Sequence, residues 1–217
     1  MKRIIIALIF VAFATIGWSQ SVTLSTSTLD PINVKIEETN FKGKKAVRVF
    51  GISDDETMAS LKQLNFENGT IEIDVAGQIL PNANGGARGF IGLAFRVRTT
   101  DSLRYECFYL RPTNGRAEDQ LRRNHSVQYV SHPKYTWFKL RDENPGAYES
   151  YADMVEGEWT KIKIEVKDNK ARLYINGATQ PCLIVNDLKY GKSNGAIALW
   201  VGPGTDGYFA NLNIKQN

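Results

Sequence analysis

The 217-residue chain has few of the residues that most often carry metal and redox chemistry: two cysteines and two histidines. Cys107 and Cys182 lie far apart and neither has a CxxC partner, which argues against a zinc site or a redox motif. Two cysteines are also too few for a disulfide scaffold, and an otherwise average composition excludes disorder, collagen and coiled coil. Sustained helical periodicity is absent; only Asp55 to Leu64 could wind into a short helix. No strong charge of one sign is present either. Lys2 and Arg3 account for two of the 27 basic residues, leaving 25 against 23 acidic ones, a net charge of about +2, with no basic stripe. That balance speaks against a nucleic-acid partner.

Long apolar runs are confined to the N-terminus. Residues 1–20 have the form of a secretory signal peptide: Lys2 and Arg3, then Ile4 to Ile16, then Gly17 and Ser19 before a cleavage point near Gln20. An uncleaved anchor is the alternative, but the run falls short of the ~20 residues a membrane span needs. The expectation is a periplasmic or extracellular protein with no membrane span in its mature chain. In that oxidising compartment Cys107 and Cys182 could form a disulfide. Their places in the apolar runs Tyr105–Leu110 and Cys182–Val185 favour two separate buried thiols.

Strand signals fill the rest. Gly69 to Gly77 alternates strictly, with Ile71, Ile73 and Val75 on one face and Thr70, Glu72 and Asp74 on the other. Thr160 to Val166 repeats the pattern, turns at Asp168-Asn169, and returns through Ala171–Ile175 to a second turn at Asn176-Gly177. Further strands are expected at 22–28, 32–38, 45–50, 89–98, 103–111, 195–201 and 207–214. About a dozen short strands split by Gly, Asn and Asp predict an all-β fold, a two-sheet antiparallel jelly-roll sandwich, over residues 21–217.

Pro112 to Gly157 departs from this rhythm, with little strand signal beyond Ser126–Val130. It contains His125 and His132, six aromatic residues and Arg116, Arg122, Arg123 and Arg141. Long irregular segments in compact domains usually serve a site; the alternative is an ordered flap closing one end of the sandwich.

The order of Gly69–Val75, Gly89–Arg96, Tyr105–Pro112, Gly157-Glu-Trp-Thr-Lys-Ile-Lys163, Ala171–Gly177 and Gly195–Trp200 to Tyr208-Phe-Ala-Asn-Leu212 resembles the concanavalin A-like lectin/glucanase superfamily. Within it, the chain is similar to laminin-G-like and 3-keto-disaccharide hydrolase-like domains of exported bacterial proteins. The resemblance covers nearly all of residues 22–215 and implies a sheet that commonly holds carbohydrate; superfamily members include lectins, glycosidases, lyases and adhesion modules. Glu72-Ile-Asp74 is similar to the Glu-x-Asp-x-x-Glu strand of laminarinase-type glycosidases. Val75, Ala76 and Gly77 follow it, so the second glutamate is missing and both residues read as a polar solvent face.

Candidate site residues follow from strand parity. Ile91, Leu93, Phe95 and Val97 would face the core, leaving Phe90, Gly92, Ala94, Arg96 and Arg98 as a groove floor. On the next strand Arg104, Glu106, Phe108 and Leu110 alternate with Tyr105, Cys107, Tyr109 and Arg111, and either face could be exposed. Glu106 is the candidate catalytic carboxylate, because the resemblance places a glutamate on the matching strand, and His125 the candidate acid/base. Arg96, Arg111, Tyr129, Trp137, Tyr151 and Trp200 are the candidate ligand contacts, the aromatic rings suiting sugar C–H faces. Trp159 reads as core. No metal ligand set is indicated; a structural calcium could use a loop carboxylate such as Asp30 or Asp206.

Three functions fit: carbohydrate binding or processing, with an oligo- or polysaccharide partner; a glycoside hydrolase using a groove glutamate; or a laminin-G-like protein-interaction module. Convergence of Glu106, His125 or Glu149 in one cleft would favour turnover. A single carboxylate among aromatics would favour binding.

Overall fold

A computed structural model describes residues 19–51 and 55–217. Residues 1–18 of the expected leader therefore lie outside the described residues. Among the described residues no helix is long and apolar enough to cross a membrane.

Strands are numbered in chain order. The first sheet runs β13 (Leu183–Val185), β12 (Lys170–Ile175), β11 (Thr160–Lys167), β6 (Gly69–Ile79), β15 (Thr205–Gln216), β4 (Lys44–Gly51) and β3 (Val34–Phe41), with β1 (Ser19–Val22) also pairing β15. The second runs β10 (Glu149–Ser150), β9 (Val127–His132), β8 (Arg104–Leu110), β7 (Ile91–Arg98), β14 (Ala196–Val201), β5 (Met58–Leu61) and β2 (Leu29–Ile32). The pairings are antiparallel, as the jelly-roll expectation requires.

Alternation builds the space between the sheets. Ile71 and Ile73 pair with Ile164 and Ile162 across β6 and β11, so all four project to one face and are fully buried. Ile91, Leu93 and Phe95 of β7 meet them from the second sheet, together with Phe108 of β8 and Tyr129 of β9, and Phe209 of β15 joins them from the first. Each such side chain contributes roughly 1.5–3 kcal/mol by leaving water.

The second sheet is also apolar on its outer face. There Met58, Ala94, Tyr105, Cys107, Tyr109, Val130 and Ala198 form a separate cluster that Phe90 and Trp200 pack against. A sheet face normally left to water is polar; this one is apolar, and its cluster residues are themselves buried.

Several details differ from the sequence expectations. Met58–Leu61 is strand β5, not a helix, because Met58 and Ala59 are each buried on opposite faces of the sheet, a period of two. The 112–157 segment contains a full strand, β9, and the two-residue β10. Three short helices complete it: α1 (Pro112–Gly115), α2 (Gln120–Asn124) and α3 (Trp137–Glu143). Trp159 is half-buried at the rim, edge-on to Phe41 at 5.7 Å under Lys44. Cys107 on β8 and Cys182 just before β13 are separate free thiols, as expected, but only Cys107 is buried; Cys182 is half-buried.

Candidate functional site

The outer face of the second sheet has an open groove of about 420 Å³. Its floor comes from Phe90 just before β7, Tyr105 and Tyr109 of β8, Val130 and His132 of β9, and Trp200 of β14. Trp200, Gly92, Tyr109 and Gln128 are successive cross-strand partners on β14, β7, β8 and β9, and Glu149 of β10 extends the row. Gly92, between Tyr109 and Trp200 in the row, is buried. A Cβ there would stand 2.1 Å from the Phe108 carbonyl oxygen and 2.8 Å from Tyr109 Cβ. The absent side chain lets the Tyr109 and Trp200 rings approach to 4.9 Å over β7, with Phe90 edge-on to Tyr109 at 6.0 Å. Walls come from the loop before β7 (Asn84, Gly86, Ala87) and from Tyr135, Thr136 and Trp137 after β9.

One carboxylate lines the groove among the described residues, Glu56. Tyr105 Oη and Trp200 Nε1 both donate to its Oε2, the latter over 3.4 Å, and His132 Nδ1 lies 3.1 Å from its Oε1. Burial alone would raise the carboxyl pKa; the contacts to His132, Tyr105 and Trp200 outweigh it and hold the group below its ordinary value. The His132 ring stacks on Tyr105, centroids 5.0 Å apart and planes within 5°. Burial, with Glu56 next, raises the Tyr105 pKa, so the phenol stays a donor and the glutamate an acceptor.

A second groove, of about 660 Å³, adjoins β10 and is lined by Leu121, Asn124, His125, Arg141, Glu149 and Tyr151, among others. Arg141 grips Glu149 with two nitrogens, Nε at 2.9 Å and Nη2 at 2.6 Å, and His125 Nδ1 lies 2.8 Å from the same carboxylate. Burial lowers the His125 pKa despite that neighbour, which favours the neutral imidazole at neutral pH. A smaller polar groove on the outer face of the first sheet has Glu72 and Glu165 beside Lys163 and Lys215. Lys163 holds the Glu165 carboxyl below its usual range, so Glu165 is not prepared as a proton donor, and Glu72 pairs with Lys161 at 3.4 Å.

The sequence-selected residues divide between these places and the interior. Trp200 and Trp137 line the first groove, and His125 and Tyr151 the second. Arg111 is buried between the two grooves, donating to His125 O, Tyr109 Oη and Gln128 Oε1.

Glu106 and Tyr129 lie between the sheets. Tyr129 Oη and the Tyr190 N–H donate to the Glu106 carboxylate, and burial raises its pKa in spite of both. Glu106 therefore does not converge with His125 and Glu149.

Arg96 does not join the groove floor, for a specific reason. Its φ of 55° marks a bulge, where the pairing of β7 with β8 shifts register between Phe95 and Arg98. The bulge turns Val97 to the outer face, against the strict alternation expected. It sends the Arg96 guanidinium instead to the carbonyls of Glu67, Asp168 and Gly191.

The two carboxylates considered for calcium stand on strands rather than loops: Asp206 of β15 is bound by Arg48, Gln78 and Tyr208, and Asp30 of β2 lies 3.5 Å from Lys62. Glu56, His132, Tyr105 and Tyr109 were not among the sequence candidates. Alternation left the face of Tyr105 and Tyr109 open, and Glu56 fell in the stretch expected to be helical.

No family model and no curated protein sequence matches the chain. Solved structures do. The carbohydrate-binding module CBM66 of Bacillus subtilis superposes with a TM-score of 0.59 at 15% identity, over 86% of this chain and 95% of that one. A candidate glycosyl hydrolase from Parabacteroides distasonis gives 0.51 at 16% identity, over 88% and 89%. Peanut lectin gives 0.51 at 4% identity, over 92% and 96%. At these identities the likeness is one of fold. Together with the two antiparallel sheets it establishes that the chain adopts the concanavalin A-like β-sandwich.

Proposed function

We propose that the groove over β7, β8 and β14 binds carbohydrate, in a protein exported from the cytoplasm. The observation that carries this reading is the pairing of the Tyr109–Trp200 aromatic floor with the single hydrogen-bonded carboxylate Glu56. Flat rings complement the C–H faces of a sugar ring, while an ionised carboxylate and an imidazole at the edge take its hydroxyl groups. A groove of about 420 Å³ has room for a short saccharide. The neighbouring folds named for carbohydrate binding and lectin activity support the same direction.

Glycoside hydrolysis is a second reading, favoured by the Glu56–His132 contact at 3.1 Å, which could move a proton. The usual two-carboxylate machinery needs carboxyl groups about 5–9.5 Å apart across the scissile bond. One lining carboxylate fits retention of a ligand better than cleavage.

A panel of oligosaccharides, read by thermal shift and by released reducing ends, tests both. A sugar that binds only the native state raises the melting temperature. Stabilisation that Trp200→Ala abolishes, with no product, is the expected result. Product formation that Glu56→Gln abolishes would move the protein to the hydrolases. If no sugar stabilises the protein, the carbohydrate reading fails and protein interaction takes its place.

A further inference from the structure

The two grooves on the second sheet share a wall. Trp137 lines the first and Arg141, one turn further along α3, lines the second; the Arg141 guanidinium lies 4.9 Å from the Trp137 ring centroid. Beneath them Arg111 joins the Tyr109 hydroxyl of the first groove to the His125 carbonyl of the second. The row Trp200, Gly92, Tyr109, Gln128, Glu149 crosses five adjacent strands. Gly92, Tyr109, Gln128 and Glu149 are themselves buried, so the row measures how far apart the grooves stand: four inter-strand steps, about 19 Å, longer than one sugar ring.

Both ends of the row offer ring faces or apolar side chains. Trp200 stands at one end; at the other, Tyr151 and Leu121 are 42% and 65% exposed. Neither groove presents an unpaired cation to an anionic ligand: Glu149 is held by Arg141 in the second, and the first is lined by no lysine or arginine, its Glu56 accepting from Tyr105 and Trp200.

We propose that the grooves are two parts of one extended binding surface, occupied by an uncharged linear glycan of several units. The second groove, around Tyr151 and Leu121, acts as a distal subsite. This rests on the carbohydrate reading of the first groove and adds chain length and charge as the specificity it exerts. Tyr151 and Leu121 receive distal sugar units, and Trp137 with Arg141 forms the ridge the chain passes.

The test is calorimetry with ladders of cello-, manno-, xylo-, arabino- and fructo-oligosaccharides from two to eight units, on the parent protein and on Trp200→Ala, Tyr151→Ala and Leu121→Ala. In one of these series affinity should rise at least tenfold from the shortest to the longest binder, then level off. Tyr151→Ala should weaken the longest chains about tenfold and leave the shortest binder unchanged, with Leu121→Ala following in smaller measure. Trp200→Ala should weaken every length.

Affinity independent of length, or long-chain affinity unaltered in both Tyr151→Ala and Leu121→Ala, would overturn the extended surface while short-chain binding lost in Trp200→Ala kept the carbohydrate reading. Tighter binding of a polyuronate ladder than of any neutral ladder would overturn the charge assignment. If no ladder binds the parent protein, both proposals fail together.

Discussion

Tyr109 and Trp200 hold their rings 4.9 Å apart although a whole strand separates their backbones, because position 92 between them has no side chain. The aromatic floor of the groove thus depends on one glycine in β7. The two rings bring their polar ends to different partners, Trp200 to Glu56 and Tyr109 to Arg111.

Gly92→Ala should be costly for that reason. The added Cβ would meet a carbonyl oxygen at 2.1 Å, and backbone cannot yield as a flexible side chain can. The expected loss is about 2 kcal/mol or more, read as a lower denaturation midpoint. A midpoint equal to the parent's would show that β7 and β8 can separate freely.

Arg96 should matter for stability and not for ligand affinity. Its guanidinium satisfies three loop carbonyls while 2% exposed. Arg96→Ala should remove about 3 kcal/mol, whereas the folded fraction should bind sugar as the parent does. Lost affinity with unchanged stability would contradict this assignment.

Glu106 supplies a pH signature. The unfolded chain ionises this carboxyl near its ordinary 4.5, the folded chain only at higher pH, because burial raises it. Between those two values the native state holds the extra proton, so stability falls as pH rises through the window. Glu106→Gln should flatten that decline. Parallel stability–pH curves for parent and variant, followed by urea titration, would remove Glu106 as its source.

Glu56 behaves in the opposite sense. Its folded pKa lies below the ordinary 4.5, so its stabilising contribution is present above that value and lost as pH falls through the folded pKa. Ligand affinity should fall over the same acidic range, since a protonated carboxyl loses acceptor capacity. Glu56→Gln should weaken binding about tenfold at neutral pH and show little further loss on acidification. An acid-side loss of the same size in the variant would point to a different group.

The two thiols should resist alkylation in the native protein. Burial raises the Cys107 thiol pKa far above its usual value and pushes Cys182 up to about 11. With little thiolate near neutrality neither is a good nucleophile. Both should react within minutes once the chain is unfolded in denaturant, and rapid native labelling of Cys107 would mean that the sheet face above it opens.

The sandwich was legible because its signals are local. Strict alternation in Gly69–Val75 and Thr160–Val166 needs no knowledge of partners, and both segments pair with each other as that pattern implies. The site was less legible because it depends on long-range register. Trp200 was placed correctly from parity alone, but Arg96 was not, since a single left-handed residue reversed the faces beyond Phe95. Glu106 misled because both faces of β8 carry aromatic and charged residues; only its pairing with β9 decides that Glu106 points inward with Tyr129. Glu56 is brought to Tyr105 and Trp200 from 49 and 144 residues away, a contact no spacing rule encodes.

The groove divides its parts by origin. Tyr109 and Trp200, with Gly92 between them, belong to strands deep within a hydrogen-bonded ladder, whereas Asn84, Gly86, Tyr135 and Thr136 stand on connecting segments. Connections tolerate insertion and exchange far better than a paired strand. On the carbohydrate reading, retuning which glycan is recognised is therefore a matter of editing residues 81–90 and 133–136, with the aromatic floor left as a reusable platform.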